Sequence, residues 1–128
     1  MKKEVFTTTI TKVWMGEDGI GRSIVLPNVV ITLDAAREHI AACTKSSNGK
    51  SVPVFFDLRN IKSVDRQARE YFASEAVCKI TKASAVVIGS PVSRVIGNFF
   101  IGINKPTYPI KLFTSEKKAI KWLRSFLK

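Results

Sequence analysis

Two nearly unbroken apolar runs, "VPVFFDL" from Val52 to Leu58 and "ASAVVIGS" from Ala83 to Ser90, constrain this chain more than any other feature. A strand with one wet face reads as alternating apolar and polar residues. An unbroken run reads as a strand covered on both faces, which occurs where helices pack on the two sides of a sheet. Between the runs, Phe72, Ala73, Ala76, Val77 and Ile80 recur at helical spacing. Strand, helix and strand in that order form a right-handed crossover, so the two runs are expected to be parallel central strands.

The flanking segments supply further elements. "VFTTTITKVWM", the turn signal "GEDGIG" and "SIVLPNVVI" read as a hairpin, with Pro27 marking an edge position or a bulge in its second strand. From Leu33 the period becomes helical, with Ala36, Ile40 and Cys43 on one face, Thr32 as the cap and "KSSNGK" as the exit. "PVSRVIGNFFIGINKP" places Val92, Val95, Ile96, Phe99 and Phe100 at helical spacing, interrupted by Gly97 and Gly102 and closed by Pro106, and reads as an irregular helix. "YPIKLF" is a last strand. "TSEKKAIKWLRSFLK" is a closing helix capped by Thr114 or Ser115, with Ala119, Ile120, Leu123, Phe126 and Leu127 inward. The 128 residues, 45% of them hydrophobic, suit one domain spanning 1–128. The expected class is α/β, with a mixed sheet of about five strands, an N-terminal hairpin and about four helices.

Charge and cysteine content limit the function classes. A formal net charge of +11 favours acidic partners without naming one. No run reaches the roughly 18 apolar residues of a membrane span, and "MKKEVFTTTI" lacks an apolar core of signal-peptide length, so a soluble cytoplasmic protein is expected. Cys43 and Cys78 are too far apart for a zinc pattern and read as reduced, buried thiols. His39 is the sole histidine and reads as a boundary or solvent-facing residue on the flank of its helix, with no triad or metal set to join. No cofactor is expected.

The stretch "FFDLRNIKSVDRQA" carries a family resemblance. Asp57, Leu58, Ile61, Val64 and Asp65 fall where the STAS domain of bacterial anti-sigma-factor antagonists has D-L-S-x-V-x-x-M/I-D-S-S-G, and "YPIKLFTSEKKAIKWL" is similar to that family's closing segment. With "REYFAS", "GSPVSRVIGNFF" and "NKP", the chain resembles most closely the uncharacterised bacterial STAS/SEC14-like proteins. The resemblance implies a STAS-like fold and a non-enzymatic binding or regulatory module. A carrier or sensor of an anionic lipid-like or hydrophobic ligand is the alternative. The antagonists are switched by phosphorylation of the second serine in D-S-S-G. Arg66, Gln67 and Ala68 stand at the three positions after Asp65, so no hydroxyl is present to be modified, and Ser63 is the nearest alternative acceptor.

Three sets of residues remain as site candidates. Asp57 and Asp65 could be paired carboxylates, but Asp65 also suits a helix cap. Arg59, Arg66 and Arg69, with Gln67, could hold a phosphate or carboxylate at the helix start between them. Phe99, Phe100, Ile101 and Ile103 concentrate more apolar surface than a short irregular helix usually hides, and read as core, a protein-contact patch or the rim of an apolar pocket. Lys117, Lys121, Arg124 and Lys128 form a solvated stripe on the closing helix. A protein partner is expected, a second copy of the chain being one form of it. Nucleic acid is disfavoured because no stacking-aromatic motif accompanies the charge.

Overall fold

The two apolar runs become β5 (Val52–Asp57) and β7 (Thr81–Val87), adjacent parallel strands inside a six-stranded sheet. The computed structural model describes residues 4–127. From one edge the sheet runs β1 (Phe6–Thr7), β2 (Thr11–Met15), β3 (Gly21–Val25), β5, β7 and β8 (Ile110–Phe113). The first three strands are antiparallel and the rest parallel, joined where Gly21 to Ile24 of β3 pair with Val54 to Asp57 of β5. Five helices accompany it: α1 (Leu33–Ser46), α2 (Arg66–Phe72), α3 (Glu75–Cys78), α4 (Pro91–Ile101) and α5 (Glu116–Arg124). A two-stranded parallel ladder of β4 (Val30–Ile31) and β6 (Ser63–Val64) ties the starts of α1 and α2 together.

Side-chain alternation along β5 feeds two cores. Phe56 joins Val86 of β7 beneath α1, α2 and α4, with Ala36, Ala68, Phe72, Ile96 and Phe100 packed there. Phe55 joins Ala85 and Val87 on the opposite face, where Ala119 and Leu123 of α5 cover them. Burying both faces is why the sequence shows no alternation at these strands.

Several expectations change. The hairpin's first strand splits at Thr8–Ile10, where Thr8 Oγ1 accepts from the Ile10 and Thr11 N–H groups. "SIVLPNVVI" splits into β3 and β4, and Pro27 sits in the turn between them beside Asn28 at φ 60, while β3 itself is interior rather than an edge. The crossover helix breaks into α2 and α3 at Ala73–Ser74, where the Ser74 N–H turns back to the Tyr71 carbonyl. Leu127 lies past the end of α5 and is exposed. Lys128 of the basic stripe lies outside the described residues. The helix caps are as expected, with Thr32, Asp65 and Ser115 accepting from Ala35, Ala68 and Lys118.

Gly97 does not interrupt α4, which runs as a regular helix to Ile101. It marks the place where α4 meets the sheet most closely: a Cβ there would lie 3.0 Å from Leu112 Cδ2 and 3.2 Å from Ile88 Cγ2. Gly97→Val is expected to destabilise the fold by about 1–3 kcal/mol through overpacking. Gly97→Ala should cost distinctly less, because a lone methyl needs only small shifts of two side-chain ends. Equal denaturation midpoints for wild type and the valine variant would show that α4 is free to lift.

Candidate functional site

Asp57 ends β5 as a buried residue, 5% exposed, and its carboxylate is enclosed by one neighbour. Oδ1 accepts from the Arg59 backbone N–H at 2.9 Å and from Nε at 3.0 Å, and Oδ2 accepts from Nη2 at 2.7 Å. That bonding raises the Arg59 guanidinium pKa further above its ordinary value. Arg59 Nη2 also lies 3.5 Å from Glu116 Oε1 at the start of α5, and its aliphatic stem lies over Gly89 after β7. The pair therefore ties three chain segments together at the ends of the central strands.

Asp65 is exposed and caps α2, with Oδ1 accepting from the Ala68 N–H at 2.9 Å. Gln67 is exposed on the first turn. The three candidate arginines are engaged separately. Arg59 holds Asp57, Arg66 pairs with Glu70 at 3.3 Å on the surface, and Arg69 donates to Val64 O and to Asn104 Oδ1, both at 3.2 Å. Arg66 and Arg69 lie on one short helix but do not converge on a common point. Ser63 lies in β6, half-buried.

Arg69 connects two sets that the sequence leaves separate. Its guanidinium carbon stands 4.1 Å from the centre of the Phe99 ring, a cation–π contact between α2 and α4. Phe100 is core and Phe99 is half-buried. Around them Val92, Val95, Ile101 and Ile103 are exposed, Val95 at 57% and Ile103 at 85%. Among the described residues, four of the seven exposed large apolar side chains thus sit in α4 or the turn after it. Single exposed apolar residues are ordinary, and four within one short segment are a denser run than that. Arg94, next to Val95 in the chain, and Lys105, two residues after Ile103, are both exposed.

A second feature lies at the opposite end of β5. A cavity of about 50 Å³ runs between α1 and the sheet, with Met15, Ser46, Val52 and Ile80 at its part-exposed rim and Phe56, Phe72 and Ser84 deep inside. A smaller one of about 20 Å³ shares Phe56, Phe72, Ser84 and Tyr108 with it. His39 lines the wall and is 3% exposed, in contrast to the boundary position expected from its helix flank. Thr11 on β2 makes that burial tolerable: its Oγ1 is 2.8 Å from His39 Nδ1, and the ring stacks on Phe56 at 5.5 Å between centroids. Burial lowers the His39 pKa to about 4 and raises that of Cys43, 3.5 Å from His39 Nε2, to about 11. Both are neutral near pH 7. No sequence signal announces this wall, since Thr11 and His39 meet only across the α1–β2 contact.

Among the described residues no group of three His, Cys, Asp or Glu side chains is placed to hold a metal ion, and no helix is long and apolar enough to cross a membrane.

A family model described as a domain of unknown function, DUF7793, matches residues 13–127, and the chain belongs to that family. No curated protein matches the sequence. Among solved structures, an uncharacterised protein of the DUF3478 family with a SpoIIAA-like fold, from Shewanella loihica PV-4, superposes with a TM-score of 0.61 at 11% identity, covering 96% of both chains. The fold is SpoIIAA-like, the fold of the STAS anti-sigma-factor antagonists that the central strand and closing helix resemble.

Proposed function

As a member of this domain family, we propose, the chain is a non-enzymatic binding module of anti-sigma-factor-antagonist type that engages a protein partner through the joined surface of α2 and α4. One observation carries the reading: the Arg69–Phe99 contact joins the last turn of α2 to α4, the helix that carries exposed Val92, Val95 and Ile101. The candidate carboxylates support a structural reading in place of catalysis, Asp57 held by Arg59 and Asp65 by the α2 backbone. The partner should present apolar and acidic groups, matching the exposed apolar Val95 and Ile103 and the basic Arg69, Arg94 and Lys105 of the same two segments. A second copy of this chain fits less well, because two faces with the same positive charge would repel. Without a hydroxyl at Arg66, Gln67 or Ala68, the module would not be switched by phosphorylation at the usual position. The lipid-carrier alternative has little room in the fold as it stands, since about 50 Å³ is well short of the roughly 300–1,000 Å³ of typical ligand clefts.

Affinity capture with the tagged protein, quantified for the same co-purifying protein across variants, tests this. Val95→Asp and Ile103→Asp alter exposed side chains and should leave the fold intact while cutting capture at least tenfold, the effect of losing about 1.4 kcal/mol or more at the centre of an interface. Arg66→Glu should weaken capture more than Lys121→Glu, an equal charge change on α5. Equal losses for these two would mean that net charge holds the partner. Undiminished capture by both aspartate variants would remove α4 from the interface.

A further inference from the structure

β8 is the end strand of the sheet, paired with β7 on one side and, among the described residues, with no strand on the other. Its four residues are exposed or half-buried, whereas every residue of β7 but Lys82 is buried. The pairing fixes which way the backbone of β8 points. The Ser84 N–H donates to Pro109 O and the Ile88 N–H to Phe113 O, each at 2.9 Å, so Lys111 and Phe113 turn their main-chain groups inward to β7. Alternation then directs the N–H and C=O groups of Ile110 and Leu112 outward, as one side of an unfilled ladder.

Two helices border that edge. On one face Gly97 of α4 meets Leu112, and Arg94 and Ile101, three residues before and four after it, lie on the same side of the helix. Phe99, about 200° around the helix from Gly97, meets Arg69 of α2, and α2 stands over central β5, where Phe72 packs on Phe56. The Gly97 side of α4 therefore turns away from α2 toward the open edge, and Arg94 and Ile101 are both exposed. On the other face Trp122 of α5 packs on Phe113 with ring centroids 5.7 Å apart, and exposed Lys118 lies one helical turn before Trp122 on the same side. Lys111, exposed on β8 itself, has its Nζ 5.6 Å from the centre of the Phe113 ring. Glu116, the one acid of α5, is engaged by Arg59.

We propose that the β8 edge is a docking site for an extended acidic segment of a partner protein, which adds to the six-stranded sheet as a further strand. Main-chain bonds to Ile110 and Leu112 hold it, and its side chains alternate between the two faces. Those on the α4 face meet Ile110, Leu112 and Ile101 and are apolar. Those on the α5 face meet Lys111 and Lys118 and are acidic. A second copy of this chain is disfavoured. Antiparallel pairing of two β8 edges through Ile110 and Leu112 sets Lys111 directly opposite its own copy, and like charges so placed repel. The edge lies across α4 from the Arg69–Phe99 contact and does not depend on the α2–α4 reading.

The probe is the capped heptapeptide Glu-Val-Glu-Val-Glu-Val-Glu, whose pattern reads the same in both directions, titrated into the full chain while backbone amide shifts are followed by NMR. Saturable shifts centred on Ile110 to Phe113 are expected, and a peptide with Lys in place of Glu should give none. Lys111→Glu should weaken the acidic peptide about three- to tenfold and admit the lysine peptide. Lys45→Glu, an equal charge change on exposed α1, should weaken it less than about twofold. Strand addition has a further signature, because only alternate residues of an added strand turn their main chain toward β8. N-methylation of the three valines or of the two inner glutamates should abolish binding in one case and spare it in the other. Shifts centred elsewhere, equal binding of the lysine peptide, or equal effects of the two methylation patterns would overturn the site. Concentration-dependent shifts at Ile110 to Phe113 without peptide would make a second copy the occupant and overturn the acidic-segment assignment.

Discussion

Between pH 6.5 and pH 4 the protein is expected to lose on the order of 3 kcal/mol of stability through one side chain, His39. The folded-state pKa is lowered by burial to about 4, against 6.5 for the free imidazole. Over that interval the unfolded chain binds a proton that the folded chain refuses, so stability is full above the unfolded value and falls with falling pH until the folded pKa is passed. The window is readable because this is the only histidine of the chain. The other resolved acid shifts act lower: Arg22 hydrogen bonds hold Asp18 below its ordinary value, and Thr9 does the same for Glu38, so their contributions fade as pH drops through the carboxylate range. Urea denaturation at half-unit steps of pH should give a slope in the wild type that His39→Gln largely removes. The variant's absolute stability at pH 7 is a separate quantity, since it also loses the Phe56 stacking. A slope retained in His39→Gln would place the titrating group elsewhere.

Asp57→Ala is expected to cost about 2–4 kcal/mol, the second large effect. The substitution leaves the Arg59 backbone N–H without its side-chain acceptor and removes both guanidinium bonds at once. Arg59→Ala should cost a comparable amount, because it strands the 6%-exposed Asp57 carboxylate with only one donor, whereas the 38%-exposed guanidinium left by Asp57→Ala can turn to water. A double-mutant cycle measured by denaturant unfolding should show the two losses to be far from additive. Additive losses would mean that Asp57 and Arg59 act independently. Neither substitution should alter partner capture through α4 under conditions where the variant stays folded. This separates a carboxylate that builds the loop from one that meets a partner.

Much of this architecture was legible in residue order. The unbroken runs at Val52–Leu58 and Ala83–Ser90 determined two parallel interior strands, because apolar cover on both faces leaves no alternation to read. Thr32, Asp65 and Ser115 announced helix starts by side-chain chemistry that acts within three residues. Local signals failed where the deciding contact was distant. Gly97 looked like a break and is a close-packing point, because Leu112 and Ile88 lie beneath it. His39 looked like a surface residue because imidazole on a helix flank usually is one, and only the Thr11 hydroxyl, brought over from β2, makes its burial affordable. Arg59, Arg66 and Arg69 could be read from sequence as one anion site or as separate surface cations, and in space each has a different partner: Asp57, Glu70, and Asn104 with Phe99. The sequence by itself determined the layers, the strand directions and the caps, since those follow from periodicities and bonds within a few residues. Only the tertiary structure decided which polar groups are buried, which arginine meets which aromatic ring and where a cavity remains, because those depend on side chains that the chain brings together from far apart.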